Sequence, residues 1–269
     1  MALAQSMSVP QTWNLVAPGY AAEIVPLFSS FAEDALRLAR LAQGERVLDV
    51  ATGPGTLALA AAAAGARVSA IDFSPKMIAE LYARAQREKL ERLDVQVADA
   101  RALPYEDAAF DAVFSMFALN LVADRGAAFR EIHRVVRPGG RVVVGTPTSM
   151  EHLPGFDDVL EILRSVLPDL AFDGDLPLSD PAELQEEMTR AGFPSVDVRQ
   201  VTRSFEFPSL STIWSSATRA AAPIVVARNA MREAEWSRAS DAILRKLEQR
   251  FGAGPHRIEL SVNLAHAQK

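Results

Sequence analysis

The sequence contains no cysteine, and this absence narrows the chemistry that its 269 residues can carry. Without cysteine the chain has no disulfides, no thiolate ligands for a metal ion and no cysteine nucleophile. Runs of positive charge are missing too: lysine and arginine are scattered, and the formal net charge is -6. Nucleic-acid binding requires a basic patch, so we expect no nucleic-acid partner. We also expect no metal site.

Long hydrophobic runs are absent as well. The longest one, at residues 57–64, is mostly alanine and too short to cross a bilayer. The first ten residues, MALAQSMSVP, lack the basic region and apolar core of a signal peptide. We therefore expect a cytoplasmic protein without membrane insertion, either a monomer or a homodimer. Because 49% of the residues are hydrophobic, the chain can form one large globular domain.

Strands and helices alternate between residues 46 and 146, which indicates an α/β fold. Predicted strands such as VLDV and RVVVG are nearly continuous apolar runs, as in a parallel sheet that helices cover on both faces. Further on, residues 181–191 predict a helix, and 196–207 predict a strand whose alternation slips near 199–201, as in a β-bulge. Clean alternation at 258–264 predicts an antiparallel strand. The predicted core strands comprise residues 46–50, 67–71, 95–98, 112–117 and 141–145.

The segment VLDVATGPGTLALA is the most informative part of the sequence. It predicts a buried strand, a tight turn at Gly53-Pro54-Gly55 and the start of a helix. Glycine lets such a turn adopt positive φ and approach a ligand closely, and the N–H groups at the helix start favour an anion. The pattern Gly53-x-Gly55-x-x-Ala58 matches the loose dinucleotide fingerprint. Taken alone, it is also compatible with a tight turn that binds no ligand.

Three carboxylates accompany this turn at the predicted carboxyl ends of neighbouring strands. Asp49 precedes the turn, Asp72 ends the second strand and Asp99 follows the third. An acid at the position of Asp72 can accept hydrogen bonds from both hydroxyls of a ribose. A carboxylate beside an exposed backbone N–H, as at Asp99 and Ala100, can pair with the edge of adenine. A nicotinamide dehydrogenase would account for the turn and Asp72, but it does not require Asp49 or Asp99.

Five segments carry a resemblance to a known family: VLDVATGPG, AIDFSPKMI, ADARALP, FDAVFSMFALNLV and EIHRVVRPGGRVVV. In this order and spacing they resemble the class I S-adenosylmethionine-dependent methyltransferases. The resemblance is greatest to the small-molecule branch that includes the ubiquinone and menaquinone C-methyltransferases, and it covers residues 46–146. It implies S-adenosylmethionine as cofactor and a Rossmann-like, seven-stranded, mostly parallel sheet with the last strand antiparallel.

The resemblance also implies roles for particular residues, carried over by position. Asp49 would help to bind the ammonium group of the cofactor, Asp72 the ribose and Asp99 the adenine edge. Ala51 and Thr56 stand where the fullest form of the family's loop has glycine, which slightly restricts the backbone at Ala51. The implied cofactor-binding residues are Tyr20, Asp49, Ala51, Thr52, Gly53, Gly55, Asp72, Phe73, Met77, Asp99, Ala100, Ser115 and Met116.

The sequence defines the acceptor side of the site less closely. A sulfonium is an activated leaving group, so the enzyme mainly holds a nucleophile in line with the methyl group. A base helps where the nucleophile is a hydroxyl or an acidic carbon. His152, after the fifth strand, and Asn120, beyond the fourth, are the candidate catalytic residues. The alternatives are an ordinary loop histidine and an asparagine that caps a local turn.

Two helical insertions, at residues 148–180 and 208–252, carry many apolar side chains and predict a closed, apolar pocket. With a helical cap at 1–42 and a cofactor-binding core at 43–147, they would form a single domain. The predicted function is methyl transfer by in-line displacement to a small, partly apolar acceptor. O- or C-methylation of an aromatic, polyketide or quinone-like compound fits this description. The alternatives are a cofactor-binding protein without transferase activity and a nicotinamide-dependent dehydrogenase.

Overall fold

The computed structural model describes residues 7–90, 92–149, 153–170 and 176–269. Its strands are β1 (Arg46–Val50), β2 (Arg67–Asp72), β3 (Leu93–Val97), β4 (Phe110–Met116), β5 (Val136–Pro147), β6 (Val196–Phe207) and β7 (His256–Gln268). They form one sheet in the order β3-β2-β1-β4-β5-β7-β6. Strands β1 to β5 pair in parallel, whereas β7 is antiparallel to both of its neighbours. The predicted α/β fold, with its last strand antiparallel, is confirmed.

Helices cover both faces of this sheet. They are α1 (Pro10–Glu23), α2 (Val25–Leu38), α3 (Thr56–Ala63), α4 (Pro75–Arg87), α5 (Arg125–Val135), α6 (Phe156–Val166), α7 (Pro181–Arg190), α8 (Leu210–Ala220), α9 (Ala222–Asn229) and α10 (Glu233–Phe251), with a short 3-10 helix at Leu119–Leu121. One buried apolar cluster joins the sheet to α5 and α7, and a second joins its other face to α2, α3 and α4. The nearly continuous apolar strands are explained by this burial on both faces.

The predicted β-bulge in β6 is wrong. The strand pairs with β7 in unbroken register from Val196 to Phe207. Val196 and Val198 belong to the cluster under α7, whereas Val201 and Phe205 pack on the opposite face, beside α2. The apolar side of β6 therefore changes face along an unbroken strand, because different helices cover its two ends.

Strand β5 begins earlier than predicted. Val136 already pairs with Phe110 of β4, and the register then shifts before Arg141 pairs with Ala112. The Pro138-Gly139-Gly140 turn thus interrupts the pairing within the strand rather than preceding it.

Helices α6, α8, α9 and α10 form a separate apolar cluster of their own. At its centre the rings of Trp214 and Trp236 are stacked with their centroids 6.3 Å apart. The sequence predicts helical structure here, and the break between α8, which ends at Ala220, and α9 lies just before Pro223. Most of the apolar side chains of this region therefore stabilise the helices themselves.

The N-terminal helix α1 packs closely against α8 and is hydrogen-bonded to it. Gly19 of α1 lies so close to α8 that an added Cβ would stand 1.9 Å from the Arg219 carbonyl oxygen. Beside it, the Glu23 carboxylate accepts hydrogen bonds from Ser216 Oγ at 2.6 Å and from Arg219 Nε at 2.9 Å. These contacts hold the N-terminal helix against the helical insertion.

By length and composition alone, the segment Pro10–Leu38 is long and apolar enough to cross a membrane. In the structure it forms two successive helices, α1 and α2, which meet at Ile24. Val16 and Ala17 of α1 and Phe31 and Ala35 of α2 are buried against the rest of the protein. In this fold, 28% of its most apolar window is buried.

We predict that Gly19→Ala lowers the free energy of unfolding by about 1–3 kcal/mol, because the new methyl group would overlap the α8 backbone. Urea titration of both proteins measures the change. Gly126→Ala in α5 is the matched control: the nearest atom to its added Cβ is the flexible Arg130 guanidinium, at 3.2 Å. This control should be neutral or stabilising by up to about 1 kcal/mol. Equal stability of Gly19→Ala and the wild type would contradict the close packing of α1 against α8.

Candidate functional site

The carboxyl ends of β1, β2, β3 and β4 open into one cavity. Strand β1 lies between β2 and β4, so the order of the strands reverses at β1. Open α/β sheets bind ligands at such a reversal, and the cavity lies there. Most of the predicted cofactor residues line it. These are Tyr20, Asp49, Ala51, Thr52, Gly53, Asp72, Phe73, Met77, Asp99, Ala100 and Met116.

Asp49 is buried at the end of β1, beneath the glycine turn. Its Oδ2 accepts hydrogen bonds from Thr52 Oγ1 at 2.6 Å and from the Ala58 N–H of α3 at 3.1 Å. The described residues provide no donor to Oδ1, which remains available to a ligand. Burial raises the pKa of this carboxyl to about 7, so a cation in the cavity would favour its charged form.

Asp72 fixes the turn to the neighbouring strand. Its Oδ2 accepts the Gly53 N–H and its Oδ1 accepts the Ser74 N–H, both at 2.9 Å. Burial raises the pKa of Asp72 to about 6, even though these hydrogen bonds lower it. A carboxylate has about four lone-pair sites, so further donors can still be accepted.

The turn itself has unusual backbone angles. Gly53 and Gly55 have φ of +55° and +83°, and Ala51 has φ of +56°, which is costly for a residue with a Cβ. A Cβ at Gly53 would meet nothing within 4 Å, whereas one at Gly55 would lie 2.1 Å from Leu81 Cδ1 of α4. Gly55 therefore allows close packing of α3 on α4 and does not line the cavity.

Asp99 lies at the far end of the cavity, after β3, and is partly exposed. Arg101 donates two hydrogen bonds to its carboxylate, from Nε to Oδ1 at 3.0 Å and from Nη2 to Oδ2 at 2.7 Å. The hydrogen bonds from Arg101 hold the pKa of Asp99 below its ordinary value. The sequence motif did not reveal this partner, which a nucleobase would have to share or displace.

Aromatic side chains from the N-terminal helices close the cavity. The Tyr20 ring makes edge contacts with Trp13 and Phe28, at centroid distances of 6.1 and 6.5 Å. Burial and the neighbouring Asp72 raise the pKa of Tyr20, so its hydroxyl stays protonated as a hydrogen-bond donor. Phe28 in turn stacks on Phe117, with ring centroids 4.0 Å apart.

Sequence reasoning missed Phe28 and Phe117. Phe117 directly follows Met116 in a segment that carried the resemblance, and its φ of +58° marks a strained backbone at the cavity wall. Phe28 gave no signal, because an apolar residue in an amphipathic helix is ordinarily part of the core.

Several predicted residues lie elsewhere. Ser115 and Asn120 are buried and do not line the cavity, and neither Ser115 Oγ nor Asn120 Oδ1 has a hydrogen-bond partner among the described residues. His152 lies outside the described residues. The three described histidines, His133, His256 and His266, do not line the cavity.

Comparisons with known proteins identify the family of this chain. A family model for a methyltransferase domain matches residues 48–144. The demethylmenaquinone methyltransferase of Clavibacter sepedonicus is 34% identical over 172 residues, which make up 59% of this chain and 69% of that protein. The chain belongs to the class I S-adenosylmethionine-dependent methyltransferases. Its cofactor is S-adenosylmethionine.

Solved structures show the same fold. A putative methyltransferase from Bacillus halodurans superposes with a TM-score of 0.60 at 18% identity, covering 89% of this methyltransferase and 99% of that chain. The phosphoethanolamine N-methyltransferase 2 of Haemonchus contortus, solved with S-adenosylmethionine, superposes with a TM-score of 0.54 at 21% identity. That match covers 87% of this chain and 50% of the other.

The cavity of this methyltransferase suits its cofactor chemically. S-adenosylmethionine carries an ammonium and a sulfonium cation, together with a ribose that offers two hydroxyl donors. The cavity presents two buried carboxylates, Asp49 and Asp72, whose raised pKa values reflect burial without a cationic partner. Open space at the Gly53 Cβ position allows a ligand to lie directly on the backbone of the turn.

We predict that S-adenosylhomocysteine binds more tightly as the pH rises from 6 to 8. The raised pKa values of Asp49 and Asp72 mean that the empty folded protein holds protons on these carboxyls, and Asp49 must lose its proton before it can pair with the ammonium group of the ligand. Because the pKa of Asp49 is about 7, the affinity for S-adenosylhomocysteine at pH 6 should be about tenfold below the affinity reached at high pH. By the same linkage, Asp49 and Asp72 contribute less to the stability of the empty protein as the pH rises between about 4 and 7, because each binds more protons in the folded state than in the unfolded chain there.

Isothermal titration calorimetry at pH 6 and 8, in buffers of different ionisation enthalpy, measures both the affinity and the protons released. Asp49→Asn should bind more weakly, with a flatter pH dependence. An affinity that does not change with pH would show that the two carboxyls are already ionised in the empty cavity.

Proposed function

We propose that this methyltransferase methylates a small, partly apolar organic acceptor at oxygen or carbon, by in-line displacement. The observation that carries the proposal is the wall beyond the glycine turn, which consists of Phe28, Ala32, Met116, Phe117 and Ala118. An apolar, aromatic wall suits a flat aromatic, polyketide or quinone-like molecule, whereas a protein or nucleic-acid acceptor needs an open, charged face. The similarity to a protein named demethylmenaquinone methyltransferase supports a quinone-like acceptor.

In this proposal the cofactor lies along the strand ends in the order of the sheet. Asp99 and Ala100 contact adenine at β3, between Phe73 and Met77, and Asp72 binds the ribose at β2. The free lone pairs of Asp72 and the exposed edge of Asp99 support these two assignments.

The methionine end of the cofactor then lies on the turn after β1. Asp49 receives the ammonium group there, and the backbone of Ala51, Thr52 and Gly53 supports the chain. Asp49 Oδ1 accepts no hydrogen bond from the described residues, whereas Oδ2 already accepts two, and this supports the role of Asp49. Met116 borders the reacting end.

Bound S-adenosylmethionine supplies a methyl group activated by the sulfonium. The protein's own contribution is to orient the acceptor and to exclude water. Tyr20, protonated over the accessible pH range, offers a hydrogen bond rather than accepting a proton. Among the described residues the cavity wall contains no histidine, and we propose His152 as the base. Asn120 is buried and does not line the cavity, so we assign it no contact with the acceptor.

The helical insertions complete a single domain in this proposal. Residues 148–180 and 208–252 act as the acceptor lid, and the cap at 1–42 closes over the cofactor core at 43–147. The packing of α9 against α1, through Val225 and Val16, supports a link between the lid and the cap. We further propose a cytoplasmic monomer or homodimer that binds neither nucleic acid nor the membrane interior.

We predict that the protein transfers the labelled methyl group of S-adenosylmethionine to chemically reduced 1,4-naphthoquinones, because their ring fits the aromatic wall. Mass spectrometry of the product gives the site of methylation. Asp49→Asn is the control, and its turnover should be strongly reduced. Absence of transfer to reduced naphthoquinones would contradict the quinone-like acceptor, and labelling of an unrelated compound in a cell extract would redirect the acceptor class.

We also predict that Asp72→Asn weakens binding of S-adenosylhomocysteine by more than tenfold. A hydrogen bond to a charged group is worth about 1.5–3 kcal/mol, and the amide cannot accept on both sides. Calorimetric titration tests this, with Asp94→Asn as control, since Asp94 is an exposed carboxylate on β3. A folded Asp72→Asn variant with wild-type affinity would show that the ribose lies elsewhere.

A further inference from the structure

Gly145 lies inside β5, and its backbone does not require glycine. Unlike the glycines of the cofactor turn, it is not among the residues with positive φ. A glycine within a strand interior weakens the strand, and it often marks a place where another group approaches closely. We therefore expect that glycine is needed at this position because a neighbouring side chain occupies the space of a Cβ.

That neighbour is Met116. The two residues are direct partners across β4 and β5. A Cβ added at Gly145 would lie 2.5 Å from Met116 Cε and 2.7 Å from Met116 Sδ, closer than real Cβ contacts occur. The thioether thus occupies the space that any other residue at position 145 would fill.

A displaced thioether meets buried side chains on one side and open space on the other. Met116 packs against a buried cluster that contains Phe31, Val262 and Leu264. It also lines the cavity, together with Phe117. We therefore expect a methyl group at position 145 to shift the thioether towards the cavity.

Gly145 also holds the next part of the wall. Its carbonyl oxygen accepts the Phe117 N–H at 2.7 Å, where Phe117 has a left-handed backbone. The Phe117 ring is the one that stacks on Phe28. The backbone of residue 145 thus holds Phe117, and its lack of a side chain leaves room for the Met116 thioether, at the same end of the cavity.

We propose that Gly145 determines the size of the acceptor by keeping the Met116 thioether flat against β5. The inference rests on the proposed function, because it places the acceptor at this end of the cavity. Because Met116 lines the cavity, its position limits how bulky a ring substituent of the acceptor can be.

The experiment compares Gly145→Ala, the double variant Gly145→Ala/Met116→Ala and the control Gly254→Ala. Gly254 has an ordinary φ and no atom within 4 Å of an added Cβ. The acceptors are reduced 1,4-naphthoquinone and its reduced 2-prenyl derivative, with labelled S-adenosylmethionine. Overpacking by one methyl group in an apolar pocket should lower kcat/KM for the prenylated acceptor about tenfold or more, with a smaller effect on the unsubstituted one.

In the double variant the clash is removed, and turnover of the prenylated acceptor should recover. Binding of S-adenosylhomocysteine should be unchanged in the control Gly254→Ala, which lies away from the cavity lining. Equal losses with both acceptors, or no recovery in the double variant, would overturn the proposal.

A second measurement is independent of the acceptor. In protein labelled with 13C at its methionine methyl groups, the Met116 signal is assigned by its loss in Met116→Ala. This signal should shift in Gly145→Ala and stay unchanged in Gly254→Ala. If the wild type methylates neither quinol, the proposed acceptor class fails, while a shifted Met116 signal still supports the positioning role. An unshifted signal would overturn that role whatever the acceptor is.

Discussion

The carboxylate of Asp72 holds together the segments on which the cofactor cavity depends. One oxygen accepts the Gly53 N–H of the turn after β1, and the other accepts the N–H of Ser74, the residue that caps α4. Ser74 Oγ donates to Asn14 of α1, so the same network reaches the N-terminal cap. A buried charge is tolerated only with such partners. The position of Asp72 therefore fixes the turn, the second strand and the cap together, and leaves its remaining lone pairs to a ligand.

Much of the core could be predicted from the sequence, because its signals are local. The glycine turn and the apolar strands each depend on residues that are close in the chain. The structure accordingly has Arg46–Val50 as β1, as predicted, and starts α3 at Thr56, directly after the turn. The carboxylates at 49, 72 and 99 could be grouped because the carboxyl ends of parallel strands share one edge of a sheet.

The features that could not be predicted depend on contacts between distant segments. The Phe28–Phe117 stack joins α2 to the end of β4, and neither residue has a pattern of its own. The slipped alternation in β6 indicated a bulge, but its cause is a change in which face is covered. In the sequence nothing distinguishes Gly145 from any small residue in a strand, because its close contact is with Met116 of the neighbouring strand. The proposed acceptor end of the cavity depends on such contacts between distant segments. The proposed cofactor end depends on short sequence motifs, which is why it could be predicted.

The crystal structure of this protein with S-adenosylhomocysteine would test the central claim most directly. The account predicts both ribose hydroxyls within about 3 Å of the Asp72 carboxylate, adenine beside Asp99 and the ammonium group at Asp49, with the sulfur facing Met116. A ligand bound outside this cavity, or bound within it with the ribose away from Asp72, would contradict the account.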